Sequence, residues 1–176
     1  YALIGRAISQ WNNVEDALLR VFHASLIGAH FGPASSAFYA ATAFSTKLDL
    51  TDAAIGFRLA GLSLHSEWSA EKTGLKRKLG SMSGQRNRLA HFHVYGAPQA
   101  KPGKRFHLEP SIHNARTWAA VKDDVITIDA RRIEDMRLEF RELAKAVSDF
   151  AANVAALPAP PEASQQLRGG RYLTRT

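Results

Sequence analysis

Two long segments at opposite ends of the chain repeat apolar residues with the period of an α-helix. In residues 2–27 the apolar positions recur at helical steps, at Ile4, Ile8, Trp11, Leu18 and Phe22. Residues from about Arg131 repeat the pattern up to Pro158, at Ile133, Met136, Phe140, Leu143, Val147, Phe150, Val154 and Leu157. Each stripe predicts a helix with one face in a core. Two such helices favour a helical bundle.

The residues between these helices predict further helices. Gly28 and the pair Gly32-Pro33 end the first helix. Residues 34–62 predict a second helix, interrupted near Asp49–Thr51, and residues 65–80 predict a third. We expect 80–84 to be a connector, because it is rich in Gly and Ser, and a fourth helix over 83–94.

The apolar period changes after a Gly/Pro/Lys loop at 96–103. Residues 105–109, 117–121 and 125–129 alternate or are β-branched, and 122–124 suits a turn, so we expect a hairpin inserted at about 104–130. The predicted fold is therefore all-α: an up-and-down helical bundle of four to five helices with a small inserted β-hairpin. It would occupy 1–157, and 158–176, bearing Pro, Gly and Gln, predicts an extended or disordered tail.

Composition narrows the class of protein. A chain of 176 residues is most economically one domain. It contains no cysteine, which excludes disulfides, thiolate zinc sites and cysteine nucleophiles and fits a cytoplasmic protein. No apolar run is long enough to span a membrane, so we expect no membrane partner.

Positive charge is concentrated in one segment. The chain carries a net charge of +7, and the whole of this excess lies between Glu71 and Arg105. The basic residues of that segment are Lys72, Lys76, Arg77, Lys78, Arg86, Arg88, Lys101, Lys104 and Arg105. Such a cluster suits a polyanionic partner, although it is equally typical of a solvated surface.

Inside this segment, Arg86-Asn87 precedes His91, and His93 follows. An Arg fork suits a phosphate, and an imidazole suits proton transfer near neutral pH. No carboxylate cluster that would bind a metal lies nearby, so the pattern favours metal-free phosphodiester chemistry on RNA. His91 would take the proton of the 2′-OH, Arg86 would hold the phosphate, and Asn87 would orient the phosphate or the ring.

Helix geometry complicates this assignment. Arg86 and His91 are five residues apart, about 140° around an ideal helix, whereas Asn87 and His91 share a face. Either Arg86 reaches round the helix or the site is composite across a two-fold axis. His93 shares a face with Arg86 and is a second candidate for the acid or the base.

The pattern Arg86-Asn87-x-x-Ala90-His91 resembles the signature of the HEPN superfamily, a group of helical domains that includes many ribonucleases. Trp11-Asn12-x-Val14-Glu15 is also similar to its bacterial branch. The resemblance covers about 1–157. It implies a bundle of four or more helices, dimerisation through the motif-bearing region and RNA cleavage without a metal. Some members are inactive and serve as binding or antitoxin-linked modules.

Glu15 falls in the middle of the first apolar stripe. A buried carboxylate needs a partner, and we expect Arg86, with Lys47 or Arg58 as alternatives. Paired with Arg86, Glu15 would orient it. Alternatively, the edge of the stripe is exposed there and Glu15 is solvated.

The remaining candidates complete the hypothesis. Lys76, Arg77, Lys78 and Arg88 are predicted to bind RNA. We expect no cofactor and no metal, although His107 and His113 with His91 and His93 are a weaker metal alternative. Trp11 and Trp68 are expected in the core, whereas Trp118 is either a core residue or a platform for base stacking.

The expected partners are RNA or a nucleotide, a second copy of the chain, and a further, unidentified protein. The predicted activity is that of a metal-independent endoribonuclease. A non-catalytic RNA- or nucleotide-binding module and a structural dimerisation domain are the alternatives.

Overall fold

The computed structural model of the chain describes residues 1–96, 106–110 and 128–158. The helices within them are α1 (Ala2–Ser25), α2 (Phe31–Ala40), α3 (Phe44–Arg58), α4 (Leu64–Ser69), α5 (Leu75–His91) and α6 (Ala130–Ala155). The strands are β1 (His93–Gly96) and β2 (Phe106–Glu109), which pair antiparallel. The predicted fold class, an all-α bundle with a small β-hairpin, is confirmed.

Helices α1 and α6 form the centre of the bundle and share its most extensive contact. Trp11 packs edge-on against Phe140, with ring centroids 5.2 Å apart. Later in each helix, Arg20 and Ser148 line one cavity, so α1 and α6 run in the same direction. The two apolar stripes are buried or partly buried as expected. The Asp129 carboxylate caps α6 by accepting a hydrogen bond of 2.8 Å from the Arg132 backbone N–H.

Helix α5 runs the opposite way, and its last turns lie beside the start of α6. Arg132 on α6 donates from Nη2 to Oε1 of Gln85 on α5, at 2.9 Å. A cavity of about 550 Å³ lies between the start of α1, the hairpin and the start of α6, lined by residues such as Ile4, Leu108 and Ile133. The end of α5, the hairpin and the starts of α1 and α6 therefore meet at one end of the bundle.

The second predicted helix is two helices, and the break lies at Ala41–Ala43 rather than near Asp49–Thr51. Ala41 and Ala43 have extended backbone. Phe38 packs on Phe22, and Phe44 packs on Trp11, with ring centroids 5.8 and 4.8 Å apart. The chain therefore turns where both aromatic rings can reach α1, a tertiary requirement that the Ala-rich local sequence does not reveal.

The predicted boundary between the third and fourth helices is wrong. Helix α4 ends at Ser69, and α5 continues from Leu75 through the supposed connector to His91. A glycine inside a helix costs about 1 kcal/mol relative to alanine. Burial of Leu75, Leu79 and Leu89 on one face outweighs that cost at Gly80 and Gly84.

The hairpin begins earlier than expected. The strand expected at 105–109 is confirmed as β2, but its partner is β1, which includes residues assigned to the fourth helix. Ile128 adds an isolated bridge to Leu108. The strand expected at 117–121, Trp118 and the tail at 159–176 lie outside the described residues. Trp11 and Trp68 are fully buried, as predicted.

Candidate functional site

The Arg86–His91 motif occupies the last turns of α5. The inward positions of α5 are Leu75, Leu79, Met82, Arg86 and Leu89, at alternating steps of four and three residues. Arg86 thus stands on the core-facing stripe, where the neighbouring positions are apolar. His91 is the final helical residue, because the backbone of Phe92 is extended (φ −81°, ψ 147°).

The side chain of Arg86 is half-buried and turns along the helix surface. Its Nη1 donates to Oδ1 of Asn87 at 3.1 Å. Asn87 and His91 lie within about 40° of each other around the helix. The guanidinium therefore extends from the inward stripe toward the face that carries His91. Its Nε is buried and has no hydrogen-bond partner in the part of the chain that the structure describes.

His91 and His93 flank the junction between α5 and β1, and both are exposed. His91 ends the helix and His93 begins the strand, so their Cα atoms are at most about 7 Å apart. The predicted relation of His93 to Arg86 as helix neighbours is wrong, because the helix stops before residue 93. The junction nevertheless keeps two imidazoles close together.

The β1–β2 ladder places four polar or aromatic side chains on one face. His93 pairs with Glu109 and Tyr95 with His107, and side chains of directly paired residues lie on the same face. The opposite face carries Val94 and Leu108, and Leu108 is buried. The polar face is therefore directed away from the core.

Two contacts organise this polar face. Nε2 of His107 lies 2.7 Å from Oε1 of Glu109. The rings of Tyr95 and His107 stack, with centroids 6.4 Å apart and planes inclined by 23°. Sequence reasoning missed Glu109 and Tyr95. The alternation in His-Val-Tyr and Phe-His-Leu-Glu was the available signal, but each run is short.

Glu15 does not pair with Arg86, so the first-choice partner was wrong. The carboxylate of Glu15 accepts from Nζ of Lys47 at 2.7 Å and from Nε1 of Trp11 at 2.9 Å. Lys47, an alternative partner, is the observed one. The ion pair is mostly buried, with side-chain exposures of 16% for Glu15 and 10% for Lys47. Glu15 therefore stabilises the contact between α1 and α3, away from the motif.

Among the predicted RNA-binding residues, Lys76 is paired with a carboxylate of another helix, although 42% of its side chain is exposed. Its Nζ donates to Oδ2 of Asp52 at 2.6 Å. The other carboxylate oxygen, Oδ1, accepts from Nε1 of Trp68 at 2.9 Å. Burial raises the pKa of Asp52, but the hydrogen bonds from Lys76 and Trp68 outweigh it and hold the pKa below its usual value. Lys76 therefore connects α5 to α3.

Arg77, Lys78 and Arg88 remain exposed. Arg77 donates from Nη1 to the Glu71 carbonyl at 3.2 Å. The ion pairs among the described residues include none of these three. Arg77 and Arg88 lie within about 60° of His91 around the helix, whereas Lys78 lies farther round.

The described residues contain no cluster of three or more His, Cys, Asp or Glu that could hold a metal ion. His113, part of the metal alternative, lies outside the described residues. No helix that the structure describes is long and apolar enough to cross a membrane.

Comparisons with protein-family models, with curated proteins and with solved structures found no match for this chain.

Proposed function

We propose that this protein is a metal-independent endoribonuclease whose reaction centre includes Arg86 and His91. The observation that carries the proposal is the reach of Arg86 round α5 to Asn87, onto the face shared with His91. An arginine on a core-facing stripe costs stability when its Nε is buried and has no hydrogen-bond partner among the described residues. The guanidinium of Arg86 and the exposed imidazole of His91 lie toward one face of the helix. Such a pair suits a phosphodiester substrate.

The chemistry needs no group beyond the substrate and these side chains. The 2′-oxygen of RNA attacks the adjacent phosphorus while His91 accepts its proton. The bond between phosphorus and the 5′-oxygen breaks, leaving a 2′,3′-cyclic phosphate and a 5′-hydroxyl. Arg86 binds the phosphate and balances the charge that develops in the transition state. Asn87 holds the guanidinium in place, and His93 is a candidate for the second proton transfer.

The RNA path follows the outer face of α5. Arg77 and Arg88 lie on the same side of the helix as His91 and supply positive charge for the flanking phosphates. Lys78 lies about 140° from His91 around the helix and is left out of the path. Lys76 is left out of the path, since Asp52 already pairs with it.

The proposal includes a homodimer, as the resemblance to the HEPN superfamily implies, and a cytoplasmic location, which the absence of cysteine fits. Two copies joined near the motif would bring two basic faces together. Each site would still use Arg86 and His91 of one chain, because the guanidinium reaches the shared face within its own helix.

The test is cleavage of a labelled RNA oligonucleotide by the purified full chain in EDTA. We expect cyclic-phosphate and 5′-hydroxyl products, and no cleavage of DNA of the same sequence, which lacks the nucleophile. His91→Ala should abolish cleavage and leave RNA binding nearly intact. His30→Ala, at the exposed start of α2, is the matched control. Absence of cleavage by the wild-type chain, with or without divalent metals, would overturn the proposal.

A non-catalytic RNA-binding module is the second candidate function. The buried Nε of Arg86 favours it, because a side chain held at Nε can bind a phosphate without adjusting to the charge that develops during a reaction. This candidate predicts salt-dependent RNA binding that His91→Ala leaves unchanged, and no product at any pH.

A further inference from the structure

The polar face of the β1–β2 ladder carries a hydrogen-bonded pair of titratable groups, His107 and Glu109. We infer that His107 is the proton donor to the leaving 5′-oxygen, with Glu109 as its positioning residue. This inference rests on the proposed function. It adds to that function a catalytic group from a second element of the fold, which the motif on α5 does not contain.

The ladder places Glu109 opposite His93, and His107 opposite Tyr95, four residues beyond His91. His93 lies two residues beyond His91, so their Cα atoms are within about 7 Å. Its direct partner across the ladder is Glu109, at about 5 Å between Cα atoms for such a pair. Because β1 follows α5 after a single residue, the polar face begins where the catalytic helix ends. One bound dinucleotide can therefore contact both elements.

The reaction requires two proton transfers at opposite ends of the phosphate. His91 accepts the proton of the 2′-hydroxyl, and a different group must deliver a proton to the 5′-oxygen as its bond to phosphorus breaks. Protonated His107 donates that proton from Nδ1. The electron pair of the broken bond remains on the 5′-oxygen, which leaves as a hydroxyl.

The surroundings of His107 suit a donor better than those of His93. The Glu109 carboxylate accepts a hydrogen bond from Nε2, which leaves Nδ1 of the same ring for the substrate. When the ring is protonated, this carboxylate balances its charge. Both side chains are partly shielded, with exposures of 20% for His107 and 26% for Glu109. His93 has no ion-pair partner among the described residues.

Tyr95 restricts the ring from the other side. It stacks on His107, and the residue as a whole is 37% exposed. The stack limits rotation of the imidazole between its two hydrogen-bonding orientations. The exposed part of the Tyr95 ring also offers a surface on which a nucleobase can stack, as aromatic side chains do in single-stranded RNA recognition.

The test compares two substrates that differ in their need for an acid. One is an RNA dinucleotide, whose 5′-oxygen must be protonated to leave. The other is uridine 3′-(4-nitrophenyl phosphate), whose nitrophenolate leaves without a proton. His107→Gln should slow the RNA reaction by about 100-fold or more but the nitrophenyl reaction by less than about 10-fold. Glu109→Gln should show the same substrate dependence with a smaller loss.

Controls separate this inference from the proposed function. His91→Gln should slow both reactions, because both need the 2′-hydroxyl to lose its proton. His30→Gln should affect neither, and thermal unfolding should show that every variant folds. If the wild-type chain cleaves RNA but His107→Gln slows both substrates equally or neither, only the assignment of His107 fails. If His93→Gln alone shows the substrate dependence, His93 is the donor and the inference is wrong. If the wild-type chain cleaves neither substrate, the proposed function and this inference both fail.

Discussion

Arg86 occupies a position on α5 whose neighbours would favour an apolar side chain. Leu79, Met82 and Leu89 share its stripe, and the Nε of Arg86 is buried without a partner among the described residues. A buried donor without a partner costs about 1–3 kcal/mol. Residues that reduce stability in this way are often retained for function. At the residue scale, Arg86 is therefore the side chain that best separates a catalytic from a purely structural role.

We predict that Arg86→Leu raises the free energy of unfolding by about 1 kcal/mol while abolishing RNA cleavage, because it removes both the unpaired donor and the phosphate ligand. Urea unfolding and the RNA assay measure the two effects. Arg88→Leu is the matched control, since Arg88 is exposed and its replacement should change stability by less than about 0.5 kcal/mol. A clear loss of stability in Arg86→Leu would assign Arg86 a structural role.

The sequence position of Glu15 predicts that its carboxylate needs a partner, but it does not predict that the partner is Lys47. The position of Glu15 on an apolar stripe correctly predicts that it needs a partner. The partner itself is 32 residues away in the chain, on another helix. The identity of the partner depends on how α3 packs against α1, and no local sequence pattern predicts that packing.

Helix α5 carries the motif because it is one continuous element. Gly80 and Gly84 predict an interruption by composition, yet the helix passes through both. Its two ends are determined differently. The start at Gly74 is set by close packing, since a Cβ there would lie 2.5 Å from the Trp68 carbonyl oxygen. The end at His91 is set by the pairing of the next residues with β2.

At this scale we predict opposite effects of the same substitution at two glycines. Gly84→Ala should raise the free energy of unfolding by about 0.5–1 kcal/mol, because alanine favours helix and nothing lies within 4 Å of its Cβ. Gly74→Ala should lower it by about 2 kcal/mol, because the methyl group overlaps the Trp68 and Ala70 backbone. Urea unfolding of both variants checks the pair. A loss of stability in Gly84→Ala would show that this face of α5 is covered.

In the whole molecule, segments that are far apart in the chain meet at the end of the bundle that carries the motif. The end of α5, the hairpin and the starts of α1 and α6 meet there, although residues 1 and 133 are far apart in the chain. The basic residues on the outer face of α5 lie next to this end. The proposed reaction centre therefore combines a helix terminus, a strand pair and a positively charged helix face.

Mixing two inactive variants tests how copies of the molecule share the site. We predict that Arg86→Ala and His91→Ala, mixed and allowed to exchange subunits, recover no RNA cleavage, because Arg86 reaches Asn87 and in the proposed site acts with His91 of its own chain. Co-refolding the two variants ensures exchange, and light scattering reports the number of copies. Recovery of cleavage in the mixture would instead show a composite site across a two-fold axis.

Local sequence patterns are enough to predict the two long helices, the helical class of the fold and the short motif. Apolar periodicity is a local property of the chain, as is the spacing of Arg86, Asn87 and His91. Four other features need the three-dimensional fold: the continuity of α5, the pairing of β1 with β2, the partner of Glu15, and the placement of His107 and Glu109 on one face of the strand pair. These features depend on contacts between residues far apart in the chain, where burial and hydrogen bonding outweigh local preference.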